Sequence, residues 1–321
     1  MNTMNDATVI VEGSVSTPLT RALSNAMGLR VHRASVHPFP SGEWSIDLNA
    51  CHVKGRHVIV LHGMHAPGII QPMSGDDNRF LSLNEAWIAS CFIVRKIKQC
   101  GAHTVTMVCP FLPYGRQNHE HDRSFQRMVV DWMHGAGVDH IVTLDMHNDA
   151  PIDPCLLVQS VHSTDVWAHH IGHLPDAVVV ATDKGGQGPA SALARAVHST
   201  HDPVFLSKKR TNDGLSIIPP EPASIQGKHC IIVDDILDTG STIRSAVHAL
   251  QGCASVTLCI THGLWSGTCI DHLNSVPIHR MLVLDSVTCT QPLPPYATVV
   301  PCAGLLANIL GTMTIQSSMV S

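Results

Sequence analysis

The apolar run Ile231-Ile232-Val233 ends in two adjacent carboxylates, Asp234 and Asp235, and Asp238-Thr239-Gly240-Ser241-Thr242 comes next, opening a stretch of helical periodicity that reaches Leu250. An uninterrupted apolar run of this kind is a strand buried on both faces, as in a parallel sheet covered by helices. Two carboxylates at the end of such a strand are costly unless a cation or hydrogen-bond donors meet them. The small residues from Thr239 to Thr242 let backbone N–H groups turn inward around an anion, and a helix starting there adds the positive end of its dipole. The hydroxyls of Thr239, Ser241 and Thr242 supply further donors. Reading Thr-Gly-Ser-Thr as a helix N-cap alone leaves the paired acids unexplained.

Strand-length apolar runs alternate with longer amphipathic stretches from end to end, the pattern of an α/β protein. In the first half His57 to Leu61 reads as a buried strand, Leu83 to Cys100 as a helix ended by Gly101, and Thr104 to Val108 as a strand. Asp122 to His134 is then a helix closed by Gly135, and Ile141 to Leu144 a strand. The second half repeats the order, with strands at Ala177 to Ala181, His229 to Val233, Val256 to Ile260 and Arg280 to Leu284, and helices at Pro189 to His198 and Gly240 to Leu250. Gly55-Arg56-His57-Val58-Ile59-Val60 echoes Gly227-Lys228-His229-Cys230-Ile231-Ile232, so a duplicated domain is expected. Turn residues cluster from Pro151 to Pro154, giving expected domains 1–154 and 155–321, with the last ~20 residues packing back on the first.

At 321 residues and 44% apolar composition the chain has material for two buried cores. Its formal charge of -5 provides no basic field for nucleic acid or an anionic membrane, so a small-molecule partner is expected. The 11 cysteines form no CxxC pair and often lie in apolar runs, as reduced thiols of a cytoplasmic protein do. The first residues show neither a basic nor an apolar leader segment, and prolines interrupt the uncharged stretch after Asp285, so neither a secretory signal nor a membrane span is expected. The 23 histidines invite a metal reading, but no HExxH or paired Cys/His spacing makes a zinc site.

The run from Asp234 to Thr242 resembles the phosphoribosyl-diphosphate-binding motif of the phosphoribosyltransferase fold, shared by transferases that consume that compound and synthases that make it. Four further motifs together resemble the ribose-phosphate diphosphokinase, or phosphoribosyl diphosphate synthetase, family. They are Phe39-Pro40-Ser41-Gly42-Glu43, Pro110-Phe111-Leu112-Pro113-Tyr114-Gly115-Arg116-Gln117, Thr143-Leu144-Asp145-Met146-His147 and Thr182-Asp183-Lys184-Gly185-Gly186. The resemblance runs from about Thr8 to Leu310 and implies an α/β fold of two phosphoribosyltransferase-type domains, each a central mainly parallel sheet flanked by helices. It implies ATP on the first domain, ribose 5-phosphate on the second, Mg2+ as cofactor, and a dimer-based homo-oligomer with a hexamer as the larger form.

Residue by residue, the resemblance assigns Phe39, Glu43, Arg116, Gln117 and His147 to ATP. Asp183, Asp234, Asp235, Asp238, Thr239, Gly240, Ser241 and Thr242 fall to ribose 5-phosphate, and His147 and Asp183 to the metal. Lys208 and Arg210, which by composition alone read as part of a solvated loop, match the spaced Lys and Arg of the family's mobile catalytic loop. Charge spreading over nonbridging oxygens at the β-phosphorus calls for such cations.

The chain departs from the family in three places. Ser41 stands where an acid is usual, which alters the adenine contact. The stretch Asn118 to Gly137 is shorter and lacks the Arg-Ser-Arg-x-Pro-Ile run that helps bind phosphate activator and ADP inhibitor, so weak or absent allosteric control is expected. Ala66 to Leu81 is longer than the family's turn and is expected as an exposed inserted loop. The competing readings are a phosphoribosyltransferase and a catalytically silent regulatory paralogue. The first leaves the N-terminal half without a reason, and silent relatives tend to lose the catalytic-loop and ribose-phosphate residues retained here.

Overall fold

The computed structural model describes residues 7–13, 15, 17–48, 52–63, 65–66, 71–73, 76–116, 124–146, 157–183, 185–211, 214–289 and 291–319. The chain divides into two compact units, Met1–Val161 with Ser286–Thr288 and Cys302–Ser321, and His162–Asp285 with Cys289–Pro301.

The first unit runs β1 (Thr8–Glu12), α1 (Pro18–Met27), β2 (Val31–Arg33), β3 (Ser35–Pro38), β4 (Trp44–Asp47), β5 (His57–Leu61), β6 (His65–Ala66), β7 (Gln71–Met73) and β8 (Asp76–Leu81). It continues through α2 (Leu83–Gln99), β9 (Thr104–Val108), α3 (Ser124–Ala136), β10 (His140–Leu144) and β11 (Leu157–Val161). β1 and β5 are buried along their whole length, as central strands of a sheet covered on both faces must be. The Ser82 hydroxyl accepts from the Glu85 N–H while the Glu85 carboxylate accepts from the Ser82 N–H, a capping box that starts α2. Behind it Trp87, Ile93 and Ile97 pack with Val9, Val58, Val60 and Val130 in the core.

The stretch from Ala66 to Leu81, expected as a loop, instead carries an antiparallel hairpin: Gln71 pairs with Leu81 and Pro72 with Phe80. The physical reason is the backbone, since a segment of that length needs partners for its N–H and C=O groups and a hairpin supplies them locally.

The second unit runs α4 (Thr164–Ile171), β12 (Ala177–Ala181), α5 (Gln187–Ala196), β13 (Val204–Phe205), β14 (Ser207–Thr211), β15 (Gly214–Ile218), α6 (Pro222–Ile225) and β16 (His229–Leu237). After these come α7 (Ser241–Ala249), β17 (Ser255–Gly263), α8 (Cys269–Asn274), β18 (Arg280–Leu284), β19 (Thr288–Cys289) and β20 (Ala297–Val300). The closing helix, α9 (Ala303–Met319), belongs to the first unit and packs against α1.

Each unit holds a parallel six-stranded sheet, ordered β2-β1-β5-β9-β10-β11 in the first and β13-β12-β16-β17-β18-β20 in the second. In both, the second strand in chain order flanks the first and the rest line up on the other side. The halves match in detail. Gly55 N–H donates to Gly101 O at 2.8 Å, and Gly227 N–H to Gly252 O at 2.8 Å. Asp145 N–H meets Val161 O at 3.0 Å, and Asp285 N–H meets Val300 O at 3.0 Å. In such sheets ligands collect outside the carboxyl ends of the strands where the winding reverses, here between β1 and β5 and between β12 and β16. Among the described residues no helix is long and apolar enough to cross a membrane.

Candidate active site

In the second unit, β12 and β16 lie side by side, with Ala181 in register with Val233. The loops leaving their carboxyl ends therefore meet at one edge of the sheet. After β12 the Asp183 carboxylate accepts from the N–H groups of Gly185 at 3.0 Å and Gly186 at 3.4 Å, folding a tight turn into α5. A Cβ on Gly186 would stand 3.1 Å from Ala181 Cβ, so a larger residue there would have to push Ala181 aside by a few tenths of an ångström.

β16 extends further than its apolar residues indicated. The sequence places its end at Val233, but the ladder continues to Leu237, with Asp234 in register with Ile260 and Ile236 with His262. The equally long neighbour β17 (Ser255–Gly263) supplies backbone partners that carry the acids inside the sheet. Asp234 and Asp235 are half-buried there, held on strand geometry.

Beyond Asp238 the chain turns at Gly240, which has φ 76 and forms the N-cap of α7. The Arg244 N–H donates to Gly240 O at 2.9 Å as the first bond of the helix. The Thr239 and Ser241 hydroxyls lie 3.2 Å apart across the loop mouth. The Cys269 thiol, below the loop, is pushed up to about 12 by burial first and then by the Asp238 carboxylate, so it remains protonated and is no nucleophile.

Lys208 and Arg210 lie on β14, in a β14–β15 hairpin where their backbones pair with Ile217 and Leu215. Their side chains lie outside those described. The hairpin's return strand β15 lies against α7, the helix that the loop opens.

In the first unit, the segment Phe39–Glu43 closes the β3–β4 hairpin. Phe39 N–H donates to Glu43 O at 2.7 Å and Gly42 N–H to Phe39 O at 2.9 Å, with Gly42 at φ 90. Phe39 is 53% exposed, a ring presented to solvent. The Ser41 hydroxyl donates to Glu43 Oε2 at 3.0 Å, a contact that an acid at position 41 could not make when ionised.

Pro110 to Arg116 leaves the carboxyl end of β9. Leu144 N–H donates to Pro110 O at 3.0 Å, and the Tyr114 hydroxyl reaches Asn84 Oδ1 on α2 while Tyr114 holds φ 66. Arg116 is exposed at the end of this turn. After β10, Met146 N–H donates to Ser160 Oγ at 2.9 Å. Gln117, His147 and Lys184 lie outside the described residues.

For a divalent cation the test is the chemistry of the donors. Asp183, Asp234 and Asp235 carry carboxylate oxygens, the ligand type that magnesium takes, but among the described residues no three such side chains gather closely enough to hold an ion by themselves, so Asp183 fits as a single protein ligand of an ion held mainly by phosphate and water.

Residues 8–137 match the family profile described as the N-terminal domain of ribose phosphate pyrophosphokinase, and residues 163–264 match that of the phosphoribosyl transferase domain. Among curated proteins the chain is similar to the ribose-phosphate pyrophosphokinase of Bifidobacterium longum, 28% identical over 94% of this chain and 88% of that one. It is likewise similar to that of Chromobacterium violaceum, 27% identical over 98% of this chain and 94% of the relative. Among solved structures it resembles phosphoribosylpyrophosphate synthetase from Mycobacterium smegmatis, with a TM-score of 0.81 and 25% identity, covering 96% of this chain and 99% of that one.

Proposed function

The chain belongs to the ribose-phosphate pyrophosphokinase family, and from that premise we propose how its residues divide the reaction. The enzyme transfers the β,γ-diphosphoryl group of MgATP to the C1 hydroxyl of ribose 5-phosphate, giving phosphoribosyl diphosphate and AMP. The observation that carries the division is the meeting of Asp183, Asp234, Asp235 and the Thr239–Thr242 loop at the one winding reversal of the second sheet.

Ribose 5-phosphate seats its phosphate on the loop, where N–H groups at the start of α7 and the hydroxyls of Thr239, Ser241 and Thr242 donate to it. Asp234 and Asp235 accept from the ribose hydroxyls, Asp183 would hold magnesium on the ribose 5-phosphate side, and His147 is the magnesium ligand proposed on the ATP side. When bound, that ion neutralises charge on the phosphoryl oxygens. The C1 hydroxyl oxygen forms a bond to the β-phosphorus and gives up its proton to solvent as the bond from that phosphorus to the oxygen bridging to the α-phosphorus breaks. Negative charge moves onto the departing AMP, and Lys208 and Arg210 counter it from the β14–β15 hairpin. A hairpin that closes over the diphosphate also excludes the water that would hydrolyse it.

On the ATP side, Phe39 stacks on adenine and Glu43 accepts from the nucleotide, with Arg116, Gln117 and His147 along the phosphates. The exposure of the Phe39 ring supports a contact made outside its own subunit, as in a homo-oligomer.

The test is AMP formation from ATP, magnesium and ribose 5-phosphate by the purified protein, beside a Lys208→Ala variant. Expected are AMP and phosphoribosyl diphosphate from the wild type and a loss of roughly 10²- to 10³-fold in kcat in the variant. A folded wild type that makes no AMP with any common triphosphate or divalent ion would overturn the reading. Release of diphosphate from phosphoribosyl diphosphate and a base would then point to a transferase.

A further inference from the structure

We infer that His272 is a positioning residue for the phosphate loop and sets the affinity for ribose 5-phosphate, an inference that rests on the proposal that this loop seats the phosphate of that substrate. Three consecutive carbonyls leading into the loop are held from the segment that ends in α8. Leu264 N–H donates to Leu237 O at 2.8 Å, Ser266 N–H donates to Asp238 O at 3.0 Å, and His272 Nδ1 lies 2.7 Å from Thr239 O. The first two bonds come from backbone and persist whatever the side chains are. The third comes from a side chain and exists only because residue 272 carries a donor at that reach.

A carbonyl oxygen only accepts, so Nδ1 carries the proton in this contact. The planarity of the peptide gives the contact its consequence. In a trans peptide the C=O and the following N–H point in opposite directions. Turning the Thr239 carbonyl toward α8 turns the following Gly240 N–H away from α8, leaving it to the loop that the Thr239 and Ser241 hydroxyls border.

Gly240 is the position at which this orientation could be lost. With φ 76 and no side chain, it allows the Thr239–Gly240 peptide to rotate as a unit, which would present a carbonyl oxygen to the phosphate in place of a donor. The same glycine is pressed against α8: a Cβ there would stand 3.1 Å from Cys269 O and 3.3 Å from His272 Cβ. His272 therefore both abuts the pivot and holds the carbonyl that would have to move. It acts through the loop and has no role on a reacting atom.

The test compares wild type, His272→Ala, His272→Asn and Thr242→Ala in the presence of magnesium. Ribose 5-phosphate binding is read by titration calorimetry, and the KM for each substrate and kcat by AMP formation. Asn places its amide nitrogen where the imidazole places Nδ1, so it restores the donor without the ring. Expected is a rise of about five- to tenfold in Kd and KM for ribose 5-phosphate in His272→Ala, the worth of about one hydrogen bond. The KM for ATP and kcat should hold, and His272→Asn should recover most of the loss. If Thr242→Ala weakens ribose 5-phosphate and His272→Ala does not, this inference falls and the loop assignment stands. If neither does, or the wild type fails to bind ribose 5-phosphate, both fall. A loss in His272→Ala spread over both substrates, kcat and thermal stability, and not recovered by Asn, marks a purely structural residue and also overturns it.

Discussion

Trp265 covers Gly263 so closely that a Cβ on Gly263 would stand 2.5 Å from the indole Nε1. The ring cannot retreat. Trp265 is fully buried, has φ 54, and its carbonyl accepts from Gln291 Nε2 at 3.1 Å. Gly263→Ala must therefore displace residues 264–266, of which Leu264 and Ser266 donate their N–H groups to the Leu237 and Asp238 carbonyls. A destabilisation of about 1–3 kcal/mol is expected, the usual cost of overpacking a closed site, together with weaker ribose 5-phosphate binding. Gly311 in α9 has open space around it, and Gly311→Ala should instead leave stability unchanged or raise it by about 0.5–1 kcal/mol. Urea unfolding followed by tryptophan fluorescence distinguishes the two.

His62, at the carboxyl end of β5, predicts a loss of stability in mild acid. Its Nδ1 lies 2.9 Å from Ser90 Oγ, its ring meets Trp87 edge-on at 5.0 Å, and burial lowers its pKa to about 4. Burial, and after it the charge of His140, lowers His57 to about 4 as well. The unfolded chain takes up protons near 6.5 while both folded side chains stay neutral, so the unfolded state binds more protons between those values. Their contribution is complete above about pH 6.5 and is lost as pH falls toward about 4, on the order of 1–2 kcal/mol each by pH 5. Urea midpoints at pH 7.5 and pH 5 measure the drop. His62→Gln should shrink the difference between them, and an unchanged difference would assign the acid sensitivity elsewhere.

Much of the architecture is legible directly in the residues, and where it is not the causes are physical. The central strands His57–Leu61 and Ala177–Ala181 are buried on both faces, so apolar continuity marks them to the residue. The echo between Gly55-Arg56-His57 and Gly227-Lys228-His229 is carried by matching backbone bonds, which is why so short a match is informative. β16 reads too short in the sequence because Asp234 and Asp235 end the apolar run although backbone pairing with β17 does not stop there. The hairpins β3–β4, β7–β8 and β14–β15 lie outside the main sheets, and their short strands are broken by Pro38, by Pro72 and by the charged run Lys208-Lys209-Arg210, so hydrophobic periodicity does not mark them. At the site, the chemistry-bearing residues are legible as motifs. His272 and the Ser41–Glu43 contact are not, because each depends on a side chain reaching a particular atom, and for His272 that atom is 33 residues away in sequence.

The segment leading from Arg116 into α3 carries the last prediction. Where the family's basic Arg-Ser-Arg-x-Pro-Ile run helps bind phosphate and ADP, this chain has Asn118-His119-Glu120-His121-Asp122-Arg123 before α3 begins at Ser124. Residues 117–123 lie outside those described, but their charge is fixed by the sequence alone. Phosphate and ADP are multiply anionic, so a site for them needs an excess of cations, whereas Glu120 and Asp122 outnumber Arg123. Inorganic phosphate should therefore leave the initial rate nearly unchanged, and ADP should inhibit only by competing with ATP. Initial rates across phosphate concentration, and ADP inhibition at several ATP concentrations, check both. Strong activation by phosphate, or ADP inhibition that saturating ATP does not relieve, would show that a regulatory anion site is built from other residues of this chain.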